Sequence, residues 1–228
     1  MEEKIMRKLN EIARQNKRYF DNIGSKPHIK ILAIADLHDW SVDELELIRD
    51  LDFDCCCLLG DIPDEALEII KRLVHKPLFG VLGNHDEPST LSRCGIQNLD
   101  GKSVTVNGVT IAGFGGSHRY KNGDYPMLTQ KESIAAAKLC PKADILISHD
   151  TAYHAMKRLD NAHCGLKGIS KYIARNKPGR NTMLQSVRLN ICGHYHENTH
   201  RKYKHCDILC VYRCALVTFP ENTAEVIF

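Results

Sequence analysis

Apolar residues recur along this chain in two rhythms, and the switches between them lay out its elements. Within residues 2–20, Ile5, Met6, Leu9, Ile12 and Ala13 share one helical stripe, with Lys4, Arg7, Lys8, Glu11 and Arg14 around the rest of the helix. Gly24, Ser25 and Pro27 then break the pattern, so residues 1–27 read as an amphipathic helix appended to a core. Short apolar runs follow at 29–35, 55–59 and 78–82, separated by helical periodicity at 42–50 and 65–74. That alternation predicts a βαβαβ unit of mostly buried parallel strands.

After Asp100 the rhythm changes. Residues 104–111 alternate apolar and polar positions around Asn107-Gly108, the strongest short-range hairpin signal, which predicts a second sheet. A run at 143–148, a helix near 165–175, and strands at 187–192, 208–212, 216–219 and 224–228 complete the reading.

The chain has 228 residues, 43% hydrophobic and 26% charged, which fits one globular domain spanning 1–228. No membrane-spanning run and no signal-peptide core are visible, so the expected location is the cytoplasm. The ten cysteines include the consecutive Cys55, Cys56 and Cys57 and read as reduced, buried small hydrophobes. A net charge of +3 is too mild to mark a nucleic-acid-binding module. The N-terminal helix is expected to pack on the domain or against a second copy, giving a homo-oligomer, with a membrane-surface role as the lesser alternative.

Chemistry concentrates where the predicted strands end. Asp36-Leu37-His38, Gly60-Asp61, Gly83-Asn84-His85-Asp86, Ser148-His149-Asp150 and Gly193-His194-Tyr195-His196 each follow an apolar run. Any one block has a bland reading as a turn or a hydrogen-bonded histidine. Five of them at the edge where open α/β sheets bind ligands make a shared site the better reading. The donors are imidazole, carboxylate and amide oxygen without thiolate, which suits manganese, iron, zinc, cobalt or nickel rather than a closed structural zinc site.

These blocks, in this order, resemble the signature of the calcineurin-like metallophosphoesterase superfamily over about residues 29–200. The resemblance implies an α/β, four-layer α/β/β/α sandwich of two mixed β-sheets flanked by helices. It implies two divalent metal ions, manganese first among the candidates. Asp36, His38, Asp61 and His196 would hold one ion, and Asp61, Asn84, His149 and His194 the other. Asp61 would bridge them about 3.5–4 Å apart, where a shared water becomes a hydroxide nucleophile at neutral pH. It further implies that His85 acts as general acid toward the leaving group, oriented by Asp86.

The implied activity is hydrolysis of a small or nucleotide-like phosphate mono- or diester. A protein serine/threonine phosphatase is the nearest catalytic rival, but that branch carries an arginine after its Gly-Asp block, where this chain reads Ile62-Pro63-Asp64-Glu65. A break-repair nuclease would extend well past the core. A non-catalytic interaction scaffold like the retromer subunit need not keep His85. His118 and Arg119, in the Gly-rich stretch 113–120, are candidate substrate contacts against the bland reading of a solvated turn. His163, Asp39 and Trp40 are candidates for the pocket wall. Cys206, Cys210 and Cys214, near His200 and His205, read as strand core, with an auxiliary zinc site as the minor alternative.

Overall fold

The computed structural model describes residues 27–158, 160–178 and 186–228, and the N-terminal amphipathic helix and the oligomer contact expected of it lie outside the described residues. The first half runs β1 (Ile29–Ala35), α1 (Val42–Glu46), β2 (Cys55–Leu58), α2 (Asp64–Leu73), β3 (Leu78–Gly80), α3 (Thr90–Arg93) and β4 (Gln97–Asn98). Next come β5 (Ser103–Val106), β6 (Val109–Phe114), the short pair β7 (Ser117–His118) and β8 (Met127–Leu128), and α4 (Gln130–Leu139). The remainder is β9 (Ile145–Ser148), α5 (Lys167–Arg175), β10 (Leu189–Cys192), β11 (Thr199–Tyr203), β12 (Cys206–Cys210), β13 (Arg213–Phe219) and β14 (Thr223–Val226).

One sheet orders these strands β14-β13-β1-β2-β3-β4 and the other β11-β12-β10-β9-β6-β5. β1 to β4 are mutually parallel, as are β6, β9, β10 and β12, with antiparallel strands at the flanks, so both sheets are mixed.

Side-chain alternation explains how uninterrupted apolar runs serve two cores. Ile29, Ile31, Ala33 and Ala35 of β1 face the other sheet and pack with Ile111, Ile145, Ile147 and Val217. Leu32 and Ile34 point the opposite way, onto Leu45, Leu67 and Ile70 from the helical side. On the second sheet, Ala112, Leu146, Cys192 and Ile208 are covered by Ala137, Ile169, Tyr172 and Ile173. The result is the helix–sheet–sheet–helix sandwich that the family resemblance implies, each buried Leu or Ile contributing about 1.5–3 kcal/mol.

Several elements differ from the periodicity. α1 is shorter than the predicted 42–50 because Leu47, Ile48 and Arg49 donate to carbonyls three residues back, tightening the chain into turns. α4 is an addition: it buries only Ser133 and Ala137, so its apolar stripe is weak, and its start is fixed by the Thr129–Glu132 capping box. β11 is also an addition, a polar edge strand paired with β12.

Cys206 and Cys210 lie on β12 in one sheet and Cys214 on β13 in the other, so the three do not converge. Burial pushes the Cys206 and Cys214 thiols up to about 12. All ten cysteines are unpaired. Among the described residues no helix is long and apolar enough to cross a membrane.

Candidate metal centre

The strand-end blocks meet at one edge of the sandwich. Asp36 and His38 follow β1, Asp61 follows β2 and Asn84 to Asp86 follow β3, all in the first sheet, while His149 follows β9 and His194 and His196 follow β10 in the second. The backbone bends sharply to present them: φ is 54° at Asp36, 55° at Asp61, 72° at His194 and 50° at His196. Left-handed conformations of this kind cost about 1–2 kcal/mol per non-glycine residue and cluster where side chains are aimed for chemistry. Gly83 must lack a side chain, because a Cβ there would lie 2.1 Å from Asp61 Oδ1.

Two groups of donors form, Asp36 with His38 and His196, and Asp36 with Asp61 and His149. His38 Nε2 and His196 Nε2 are 3.2 Å apart, and His196 Nε2 is 3.6 Å from Asp36 Oδ1. His149 Nε2 lies 3.3 Å from Asp61 Oδ2 and 3.0 Å from Asn84 Oδ1. The His194 ring stands 4.9 Å from that of His149. Backbone carbonyls select the tautomers: Leu59 takes His149 Nδ1–H at 2.8 Å, and Ala162 takes His194 Nε2–H at 2.9 Å. His194 Nδ1 keeps its lone pair, whereas His149 Nε2 faces two acceptors, Asp61 Oδ2 and Asn84 Oδ1, and holds a proton toward them.

Electrostatics follow from burial. Desolvation pulls the His149 pKa down, but Asp61 and Asp36 outweigh it and push it up to about 10. Burial, reinforced by His149, presses His194 down to about 3. Burial would raise Asp61, yet His149 and the His85 backbone N–H hold its carboxyl well below the usual range. Asp36 is fully buried and accepts the His194 N–H at 2.7 Å through Oδ2, while its Oδ1 has no hydrogen-bond partner among the described residues. A buried carboxylate oxygen facing imidazoles and a second carboxylate fits a cation, which removes the cost of leaving it unpaired.

His85 and Asp86 stand beside this cluster. The His85 N–H donates to Asp61 Oδ1 at 2.7 Å, and its ring lies open to the cleft, 5.7 Å from the His38 ring. Burial of part of the ring lowers its pKa. Asp86 Oδ2 accepts from Gly83 N at 2.7 Å and Asp61 N at 3.0 Å, so its hydrogen bonds run to the ligand loops rather than to the His85 ring. Burial first, then the Asp61 charge, raises it to about 6. A cleft of about 380 Å³ extends from His38, Asp61 and His85 to Asp64, Glu65 and Arg93. Arg93 lay outside the motif reading; its Nη2 reaches Asp64 Oδ2 at 2.8 Å, and it also pairs with Glu87.

Of the proposed substrate loop, Arg119 Nη2 is engaged by the Met127 carbonyl at 2.9 Å, with Glu132 at 3.6 Å. His118 Nδ1 lies 3.2 Å from Gln130 Nε2. The residue of this loop that touches a metal-ligand candidate is Tyr120, whose hydroxyl accepts from Asn84 Nδ2 at 3.2 Å. The Gly-rich composition of the loop marked it, but composition carries no direction, so this contact was not readable. The His163 ring lies tilted against that of His194 with centroids 4.8 Å apart, and its Nδ1 is 2.7 Å from Asp160 Oδ1. The Asp39 carbonyl accepts from Arg213, and Trp40 packs on the helix-side core.

The model of the calcineurin-like phosphoesterase family matches residues 29–198. The chain belongs to that family. It is similar in structure to a phosphopantetheinyl hydrolase from Mycobacterium tuberculosis, with a TM-score of 0.53 and 12% identity, covering 83% of this chain and 91% of that one. An archaeal phosphodiesterase is also similar, with a TM-score of 0.49 and 12% identity, covering 86% of this chain and 98% of that one. No curated protein sequence matches it.

Proposed function

We propose that this chain hydrolyses phosphate esters at a two-metal centre, acting on a small or nucleotide-like mono- or diester. The carrying observation is the buried Asp36 Oδ1, which has no hydrogen-bond partner among the described residues and is surrounded by donors from both sheets. Asp36, His38, Asp61 and His196 would hold one divalent ion, and Asp61, Asn84, His149 and His194 the second, manganese being the first candidate. When bound, such ions supply positive charge for phosphate oxygens and lower the pKa of water toward neutrality.

The protein's own residues do the rest. Leu59 and Ala162 hold the outer ring nitrogens, so that His149 would give Nε2, on loss of its proton, and His194 would give Nδ1 to a bound ion. Asp86 ties the Gly83 and Asp61 backbones together, keeping two ligand loops in register. His85, open to the cleft and bonded among the described residues only through its backbone to Asp61, is free to give a proton to the departing oxygen.

The test is a chelated sample reloaded separately with Mn, Ni, Co, Zn or Mg and offered paired aryl mono- and diesters, then 2′,3′- and 3′,5′-cyclic nucleotides. Metal-dependent turnover of at least one ester class is expected, and the mono- to diester ratio assigns the class. A metal-loaded protein inert toward every class would overturn the reading in favour of an interaction scaffold.

A further inference from the structure

Tyr120 meets the candidate centre at Asn84 and Lys121 stands beside its ring, and the ligand set uses neither. Asn84 is committed on both ends of its amide, with Oδ1 toward His149 Nε2 at 3.0 Å and Nδ2 donating to Tyr120 Oη at 3.2 Å. A phenol oxygen that accepts in this way keeps its own O–H for another acceptor, and among the described residues that proton has none. The phenol is therefore anchored at a ligand candidate with its donor left over.

Lys121 follows directly. Its Nζ lies 5.4 Å from the Tyr120 ring centroid and 4.3 Å from that of Tyr125, which holds the ammonium by cation–π attraction. Among the described residues it makes no ion pair. Arg93, the cation lining the cleft, is by contrast neutralised by Asp64 and Glu87.

We infer that Tyr120 and Lys121 bind the substrate's phosphate, Tyr120 donating its hydroxyl proton to a non-bridging oxygen and Lys121 compensating the charge. The inference rests on the phosphoesterase reading. It also answers the absence of an arginine after Asp64: a phenol donor and a point charge replace the planar guanidinium clamp.

The experiment uses the full chain loaded with manganese, inorganic phosphate as probe, and the variants Tyr120→Phe and Lys121→Gln. A hydrogen bond to a charged group is worth enough that each variant should raise KM and the phosphate inhibition constant about tenfold, with kcat changing less and metal content unchanged. Phosphate inhibition equal to wild type in both variants overturns the inference and leaves the hydrolase reading standing. Loss of metal from Tyr120→Phe also overturns it, since the phenol would then only prop Asn84. A wild-type protein that turns over no ester, yet binds phosphate in a Tyr120-dependent way, sinks the hydrolase reading and keeps the phosphate contact.

Discussion

His149 Nε2 lies 3.3 Å from Asp61 Oδ2, joining the loop after β9 to the loop after β2 and so one sheet to the other at the metal edge. Both side chains are almost wholly out of solvent. Removing one partner of a buried charged pair costs about 3–5 kcal/mol, because the survivor is left without compensation. Asp61→Ala should therefore do more than weaken a ligand site. Metal retained after dialysis, measured by elemental analysis, should fall to near zero, and the metal-free melting temperature should fall as well. A variant that keeps its full metal content removes Asp61 from the centre.

His85 offers a cleaner separation of roles. It touches the cluster through its backbone N–H to Asp61, while its ring stays open to the cleft. His85→Ala should keep that N–H and its metals while slowing turnover by about 10²–10⁴, as expected for loss of a positioned acid. The loss should shrink for esters of acidic phenols, whose leaving oxygens need no proton. Equal loss across leaving groups would point to a different role.

A Cβ at residue 83 would sit 2.1 Å from Asp61 Oδ1, closer than any real contact. Gly83→Ala must push the Asp61 carboxylate away without removing a donor. Displacing a ligand this way should weaken metal binding by about 10–100-fold in a calorimetric titration, the range seen when support around a site is lost. Affinity equal to wild type would mean that the Gly83 loop moves instead.

Metal binding should also register as stability. A ligand that binds only the folded state stabilises it by about 2.7 kcal/mol at a hundredfold excess over its Kd. Titrating manganese into chelated protein should raise the melting temperature continuously, and Asp36→Asn should blunt that rise. A melting temperature indifferent to every divalent ion would contradict a metal site at these residues.

The parts of this molecule that were readable in sequence are those whose signal is local. Strands such as Ile29–Ala35 announce themselves because both faces are buried, and the donors Asp36, Asp61, His149 and His194 sit one to three residues beyond such strands. The helix Gln130–Leu139 escaped because burying only Ser133 and Ala137 leaves almost no apolar stripe, although Thr129 and Glu132 spelled its cap. Thr199–Tyr203 escaped because an exposed edge strand has no buried face to reveal. In the loop 113–120, Arg119 looks like a substrate contact, yet it turns to the Met127 carbonyl while Tyr120 turns to Asn84. Side-chain direction in an irregular segment depends on its tertiary neighbours, which no periodicity encodes.

The left-handed backbone at Asp36, Asp61, His194 and His196 has an evolutionary side. Glycine or asparagine would relieve each of these positions, so the fold is better off locally without the very residues that give it chemistry. Selection for heat resistance alone, with no demand for turnover, would drift toward those replacements and produce a sturdier, inert sandwich. Turnover at the proposed centre would thus be maintained against the grain of local folding, and a binding module would lie only a few neutral-to-stabilising substitutions away.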